Sequence, residues 1–155
     1  MQREIQLAKA DPKLLDSAGV KLGGGNFLAA LGLLCYTEFG GKLKYGAKTK
    51  NGRDLASANF NKFFDFLGKG YELFRTKQNV YDIFRCGLAH EFYVKKNCTI
   101  AMLASTTGLG IGVDNSGRYY FIIESYCRDL EKAFDKLQVE LYGSCSRAQP
   151  FGADR

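Results

Sequence analysis

The sequence lacks any uninterrupted apolar run of the roughly 20 residues that a membrane-spanning helix requires, and residues 1–10 lack the apolar core of a secretion signal. We therefore expect a cytoplasmic protein that has no membrane partner. The 5 cysteines are odd in number and include no Cys-x-x-Cys pair. This usage argues against a disulfide scaffold and is typical of a reducing compartment.

The sequence also has little that could hold a metal or a cofactor. His90 is its only histidine, and no cluster of His, Cys and Asp has the spacing of metal ligands. The glycine run at 23–25 lacks the lysine and the serine or threonine that complete a P-loop. We therefore expect no metal and no cofactor, and we interpret the glycine run as a connector.

What the sequence does contain is ordinary for one globular domain, with 155 residues of which 46% are hydrophobic and 25% charged. Its net charge of +6 favours acidic partners without identifying one. The segment 42–53 is rich in cations and contains no acid, so it supplies candidate phosphate-binding residues. These are Lys42, Lys44, Lys48, Lys50 and Arg53. The alternative interpretation of this glycine-containing segment is a solvated loop.

Hydrophobic periodicity predicts a mainly helical fold. Helices are predicted over 27–39, 54–67, 125–142 and the stretch from 71 to 90, which has a break near 78–79, and two short helices are predicted within 3–15. The apolar run 27–39 is expected to be a buried helix that Gly40 and Gly41 end. The Phe-rich stripe of 54–67 is expected to lie in the core.

A smaller β-element is predicted before the last helix. Residues 99–103 and 119–123 are rich in β-formers, and 108–113 alternate small and large side chains. Residues 114–117 have the composition of a tight turn. We therefore predict an antiparallel hairpin at about 108–124, or a three-strand meander. The alternating glycines would allow another backbone or a ligand to approach closely.

Arg85 and His90 are the strongest candidates for chemistry. Arg85 is a permanent cation whose planar guanidinium can bind a phosphate, and histidine is the side chain that exchanges protons near neutral pH. On an ideal α-helix, residues five apart differ by about 140° in direction. The two side chains therefore converge only if the helix starts, bends or ends between them, and Gly87 is the expected place.

The neighbours of this pair leave several alternatives open. Asp82 is suitably spaced to pair with Arg85, and it could instead orient His90 through hydrogen bonding. In a purely structural alternative, Arg85 pairs with Asp82 or Glu91, and His90 caps a helix end or bonds to a buried carbonyl. Cys86 and His90 have the spacing of a nucleophile and its base, although no oxyanion-binding device is visible.

The run Arg85-Cys86-Gly87-Leu88-Ala89-His90 resembles the signature of the HEPN superfamily, in which an arginine is followed after four to six residues by a histidine. The resemblance implies a HEPN-like helical bundle over 1–142 that includes the hairpin. The polar tail at 143–155, which contains Pro150, is expected to be loosely ordered. It also implies a metal-independent endoribonuclease that acts on RNA as a homodimer, with the two motifs meeting at the subunit interface.

The same resemblance implies a role for each residue. Arg85 would bind the scissile phosphate, and His90 would act as general base or acid on the ribose 2′-hydroxyl or the leaving oxygen. Asp82, Cys86 and Glu91 would be supporting residues. One residue departs from the family pattern, because the position after the arginine is often polar in active members and is here Cys86. The alternative is therefore a catalytically silent HEPN-like module that binds RNA, a nucleotide or a protein partner.

Overall fold

The computed structural model describes residues 24–91, 94–102 and 108–143. Their elements are α1 Gly24–Tyr45, α2 Ala56–Phe66, α3 Lys69–Lys77, a π-helix Tyr81–Glu91, β1 Cys98–Ala101, β2 Ile111–Val113, β3 Tyr119–Ile122 and α4 Ile123–Tyr142. The predicted fold class, mainly helical with a small sheet before the last helix, is confirmed. In the described residues, no helix has the length and apolar character needed to cross a membrane. The short helices predicted within 3–15 and the tail after residue 143 lie outside these residues.

Helix α1 is longer at both ends than the apolar run predicted. It begins at Gly24, inside the glycine run that we interpreted as a connector, and it continues to Tyr45. The prediction that Gly40 and Gly41 end the helix is wrong, and the reason is tertiary. A Cβ atom at Gly41 would overlap the backbone of Asn59 on α2. Because Gly41 has no side chain, α2 can lie directly against α1 at this position, and α1 continues past it without a break.

The aromatic residues of α2 form the centre of the core. Phe60, Phe63 and Phe64 are completely buried, which confirms the predicted position of the Phe stripe. The ring of Phe64 lies 5.2 Å from that of Tyr71 on α3 and 6.3 Å from that of Tyr126 on α4, measured between centroids. Such ring contacts add to the stability gained from burial, so three helices are held together around this residue.

The sheet has the strand order β1-β3-β2. Strands β2 and β3 pair antiparallel with Ile111 opposite Phe121, and Asp114 accepts hydrogen bonds from the backbone N–H groups of Ser116 (2.8 Å) and Arg118 (2.9 Å) in the turn. The predicted hairpin is confirmed. Strand β1 pairs parallel with the other edge of β3, so the meander alternative is wrong. Because β1 and β2 pair with opposite edges of β3, β3 is the central strand.

The glycines around β2 allow close contacts inside the chain. A Cβ atom at Gly110 would overlap the backbone of Tyr126, and one at Gly112 would overlap the phenol of Tyr120. The backbone N–H of Gly110 also donates a 3.1 Å hydrogen bond to the hydroxyl of Tyr71. The close approach that the alternating glycines predicted is therefore made by groups of the protein itself.

The predicted helical stretch after α3 is present, with the expected break near Gln78, but Tyr81–Glu91 is a π-helix. Its buried side includes Ile83, Phe84 and Leu88, which pack in the core. In a π-helix each backbone N–H bonds to the carbonyl five residues earlier, so a turn contains more residues than in an α-helix. This difference changes which side chains of the segment lie on the same side.

Candidate functional site

Arg85 is anchored by an acid on a distant helix. Its Nε donates a 3.0 Å hydrogen bond to Oε2 of Glu38 on α1, and the two side chains are 18% and 26% exposed. The pair is therefore partly shielded from water, which strengthens it relative to a surface pair. The terminal nitrogens of Arg85 donate no hydrogen bond to a described residue, so two of the three nitrogens of the fork remain available to a ligand.

The groups around this ion pair have shifted pKa values. Burial acts to lower the pKa of Arg85, but Cys35 and Glu38 outweigh it and raise the value. Burial raises the pKa of Cys35, an effect that Arg85 opposes and Glu38 reinforces. Burial and Glu38 likewise raise the pKa of Tyr81. At neutral pH the site therefore contains one ion pair beside a protonated thiol and a protonated phenol, and Cys35 is no activated nucleophile.

His90 is exposed in the last turn of the π-helix. Because hydrogen bonds in a π-helix join residues five apart, His90 follows Arg85 by about one turn, but the guanidinium contacts Glu38 whereas the imidazole is exposed. The expectation that a break at Gly87 brings them together is wrong, since Gly87 is buried inside the continuous π-helix. In the part of the chain that the structure describes, no hydrogen bond or ion pair holds the imidazole.

Asp82 and Glu91 share one cation that follows the π-helix. Nζ of Lys95 lies 2.7 Å from Asp82 and 3.3 Å from Glu91, and its backbone N–H donates a 3.1 Å hydrogen bond to the carbonyl of Ile83. Among the described residues, Arg85 pairs with neither Asp82 nor Glu91, so both structural pairs considered from the sequence are wrong. The two acids instead hold the returning chain against the ends of the π-helix.

Cys86 is half-buried beside Tyr81, where it contributes to the raised pKa of that phenol. Among the described residues, no hydrogen bond joins Cys86 to His90. The geometry therefore gives no support to the interpretation of these two residues as a nucleophile and its base.

Lys42 and Lys44 lie on α1, so the interpretation of 42–53 as a solvated loop is wrong at its beginning. Nζ of Lys42 lies 2.5 Å from Oδ2 of Asp54. Lys44 forms an ion pair with Glu140 of α4 and lies 4.3 Å from the centroid of the Phe66 ring. Because internal acids neutralise both lysines, neither offers a free cation to a phosphate.

Lys48, Lys50 and Arg53 lie on an exposed turn that follows α1. The turn is closed by a 2.7 Å hydrogen bond from the N–H of Thr49 to the carbonyl of Arg53. No ion pair with a described residue neutralises these three cations. They are therefore the members of the cation-rich segment that remain able to attract a phosphate.

A cavity of about 240 Å³ lies between α1, α2 and the π-helix. Arg85 and Glu38 form one ion pair in its wall, and Lys42 and Asp54 form another. His90 is not among the residues that line it. The structure thus brings Arg85 and Lys42 to one cavity but leaves the imidazole on the outer surface.

Sequence reasoning missed Glu38 and Lys95. Glu38 is the only acid in α1, a helix that is otherwise largely apolar, and a lone charge of that kind needs a partner. Lys95 lies four residues after Glu91, which is a favourable spacing for an ion pair. Both signals were therefore present in the sequence, although neither identified Arg85 as the partner of Glu38.

No protein-family model, curated protein or solved structure matches this chain. Within the described residues, no three or more His, Cys, Asp or Glu side chains are grouped so as to hold a metal ion.

Proposed function

We propose that this protein is a HEPN-like, metal-independent endoribonuclease in which Arg85 binds the scissile phosphate and His90 transfers protons. One observation supports the proposal: Arg85 and His90 lie about one turn apart on the same π-helix, and neither the terminal guanidinium nitrogens nor the imidazole makes a hydrogen bond or ion pair with a described residue. Cleavage of an RNA phosphodiester uses a cation that stabilises charge on the phosphate and a group that transfers protons, and a guanidinium and an imidazole can supply these two functions.

The reaction would proceed by attack of the ribose 2′-oxygen on the adjacent phosphorus. His90 of one copy takes the proton of the 2′-hydroxyl, and the bond between phosphorus and the 5′-oxygen breaks. The imidazolium of a second copy gives its proton to that leaving oxygen. Arg85 stabilises the negative charge that develops on the non-bridging oxygens. The products are a 2′,3′-cyclic phosphate and a free 5′-hydroxyl.

A second candidate function is a catalytically silent HEPN-like module that binds RNA, a nucleotide or a protein partner. Two observations favour it. Cys86 occupies a position that is often polar in active members of the superfamily, and Lys42 is neutralised by Asp54 in the cavity beside Arg85. In this case Arg85 and Glu38 would form a structural ion pair and His90 would have no catalytic role.

A cleavage assay in EDTA separates the two functions. Single-stranded RNA is incubated with the wild type, Arg85→Ala and His90→Ala at pH values of about 6 to 8, the range over which histidine titrates. Arg118→Ala is the matched control, since Arg118 pairs with Asp114 in the hairpin turn. We expect products ending in a 2′,3′-cyclic phosphate from the wild type and the control alone. Intact RNA in every reaction would refute the nuclease, and retained RNA binding in that experiment would support the silent module.

A further inference from the structure

A second cavity, of about 480 Å³, lies between the beginning of α1, the π-helix and β1. Its volume is within the usual range of small-molecule sites. Its walls are apolar and include Phe27 of α1, Leu88 of the π-helix and Ile100 of β1. Its polar residues are consecutive in the segment that leads into β1, and they are Lys95, Lys96 and Asn97. The cavity therefore combines an apolar wall with one short cationic edge.

The two lysines at this edge have different partners. Nζ of Lys95 is held by Asp82 and Glu91, neither of which lines the cavity. Nζ of Lys96 instead donates a 3.0 Å hydrogen bond to the hydroxyl of Tyr119 and lies 5.2 Å from the centroid of that ring. Within the described ranges of the chain, no acid forms an ion pair with Lys96. The positive charge of Lys96 is therefore not neutralised.

The sheet places the phenol that holds Lys96 on the face that borders this cavity. Tyr119 on β3 is directly opposite Cys98 on β1, and the side chains of paired residues project from the same face of a sheet. Cys98 and Ile100 are two residues apart on β1, so they share that face, and both line the cavity. The ammonium group is therefore held on the same side of the sheet as the apolar wall.

The ammonium group of Lys96 is also held in place before any ligand arrives. The hydroxyl of Tyr119 donates a 2.6 Å hydrogen bond to Oε1 of Gln78, and Tyr119 is only 7% exposed. An ammonium group has three N–H donors, and the phenol oxygen accepts from one of them. Two donors remain for a ligand, and Lys96 itself is exposed, so an anion can reach it. Fixing the side chain in advance lowers the entropy cost of binding.

We infer that this cavity binds a small aliphatic carboxylate, with its carboxylate on Lys96 and its alkyl chain against Phe27, Leu88 and Ile100. An ammonium and a carboxylate form a charge-assisted hydrogen bond, which is stronger than a neutral one. The apolar wall contributes affinity by burying alkyl surface. The inference is independent of the proposed nuclease, because neither Arg85 nor His90 lines this cavity.

The test is a titration of the isotope-labelled full chain, followed through its backbone amide signals by NMR. The probes are octanoate, 1-octanol and octylammonium, which share one alkyl chain and differ in the charge of the headgroup. We expect octanoate to shift the signals of residues 94–100 and to bind roughly tenfold more tightly than 1-octanol. Octylammonium should bind more weakly than either.

Substitution of Lys96 tests the headgroup. Lys96→Met should remove the preference for octanoate over 1-octanol, whereas Lys96→Arg, which keeps the charge, should retain it. The matched control is Lys136→Met, because Lys136 is an exposed lysine of α4 that does not line the cavity. Circular dichroism confirms that each variant is folded.

Each contrary outcome identifies what has failed. Equal affinities of the wild type for octanoate and 1-octanol, or a preference that Lys96→Met leaves unchanged, would overturn the role of Lys96. Signal changes that are absent from residues 94–100 would overturn the cavity as the site. Tighter binding of octylammonium would show that the acids around Lys95 dominate, and would overturn the choice of a carboxylate. Octanoate binding as expected, in a protein that does not cleave RNA, would support this site and refute only the nuclease.

Discussion

The Nε atom of Arg85 donates a 3.0 Å hydrogen bond to the carboxylate of Glu38, a residue 47 positions earlier in the chain. Because Nε makes this bond, the terminal nitrogens of the planar guanidinium remain free. Glu38 therefore holds the fork in one orientation, and its negative charge would compete with the phosphate of the proposed substrate. These two effects of one residue can be separated by substitution.

Glu38→Gln and Glu38→Ala should have different kinetic effects on RNA cleavage. Glutamine keeps an acceptor for Nε but removes the competing charge, so we expect a lower KM and nearly unchanged kcat. Alanine removes the acceptor as well, and we expect kcat to fall about 10²-fold because the guanidinium is misplaced. Steady-state kinetics on a short RNA measures both parameters, with Asp114→Asn in the hairpin turn as the control. Equal effects of the two substitutions would show that Glu38 does not position Arg85.

The rate at which Cys35 is alkylated should depend on the charges of Arg85 and Glu38. Arg85 lowers the pKa of Cys35 and Glu38 raises it, against the larger effect of burial. Arg85→Met should therefore raise this pKa further, reduce the thiolate fraction and slow the reaction with iodoacetamide at about pH 8, whereas Glu38→Gln should accelerate it. Peptide mass spectrometry gives the rate at each cysteine.

Cys98 is the internal control for this measurement. Burial raises the pKa of Cys98 to about 12, with no contribution from Arg85 or Glu38. Its labelling rate should be low and should stay the same in both variants. A parallel change at Cys35 and Cys98 would indicate general loosening of the fold rather than an electrostatic effect.

Gly41→Ala should destabilise the protein more than Gly40→Ala does. The added methyl at Gly41 would overlap the backbone of Asn59, whereas at Gly40 it would meet the buried ring of Phe63, which is a side chain and not part of the backbone. We expect the free energy of unfolding to fall by about 3 kcal/mol for Gly41→Ala, the upper end of the usual cost of overpacking, and by about half as much for Gly40→Ala. Urea denaturation measures both, and the reverse order would contradict the close packing of α1 on α2.

Tyr126→Phe should remove a buried hydrogen bond without changing the core packing. The hydroxyl of Tyr126 lies 2.8 Å from Oγ1 of Thr37, which also bonds to the carbonyl of Leu33. We expect a loss of about 1–2 kcal/mol in the free energy of unfolding, typical of a buried hydrogen bond. Tyr142→Phe, at a residue that is 75% exposed, is the control and should change stability by less than about 0.5 kcal/mol. Indistinguishable unfolding curves for the two variants would mean that the bond with Thr37 adds nothing.

Most of the local structure could be predicted from the sequence. The apolar spacing of 54–67 predicted a helix observed as Ala56–Phe66, and the turn residues around Asp114 predicted the hairpin of β2 and β3. These features depend on interactions within a few residues, and neighbouring positions in the sequence therefore determine them. The resemblance to the HEPN superfamily, carried by Arg85 and His90, stays a prediction.

The tertiary structure decided the rest. The extension of α1 through Gly40 and Gly41 depends on the close approach of α2, and the parallel pairing of β1 depends on its contact with β3, about 20 residues later in the chain. Such features follow from contacts between residues that are far apart in the sequence, which local periodicity does not encode.

The sequence and the tertiary structure likewise contributed different parts of the candidate site. By itself the sequence identified the two candidate residues for chemistry, because Arg85 is a permanent cation and His90 is the only histidine. Tertiary structure alone decided that Glu38 holds the guanidinium and that the segment carrying Arg85 and His90 is a π-helix. The physical reason is that a side chain carries its charge and proton affinity wherever it lies, whereas its partner and direction depend on how distant helices pack.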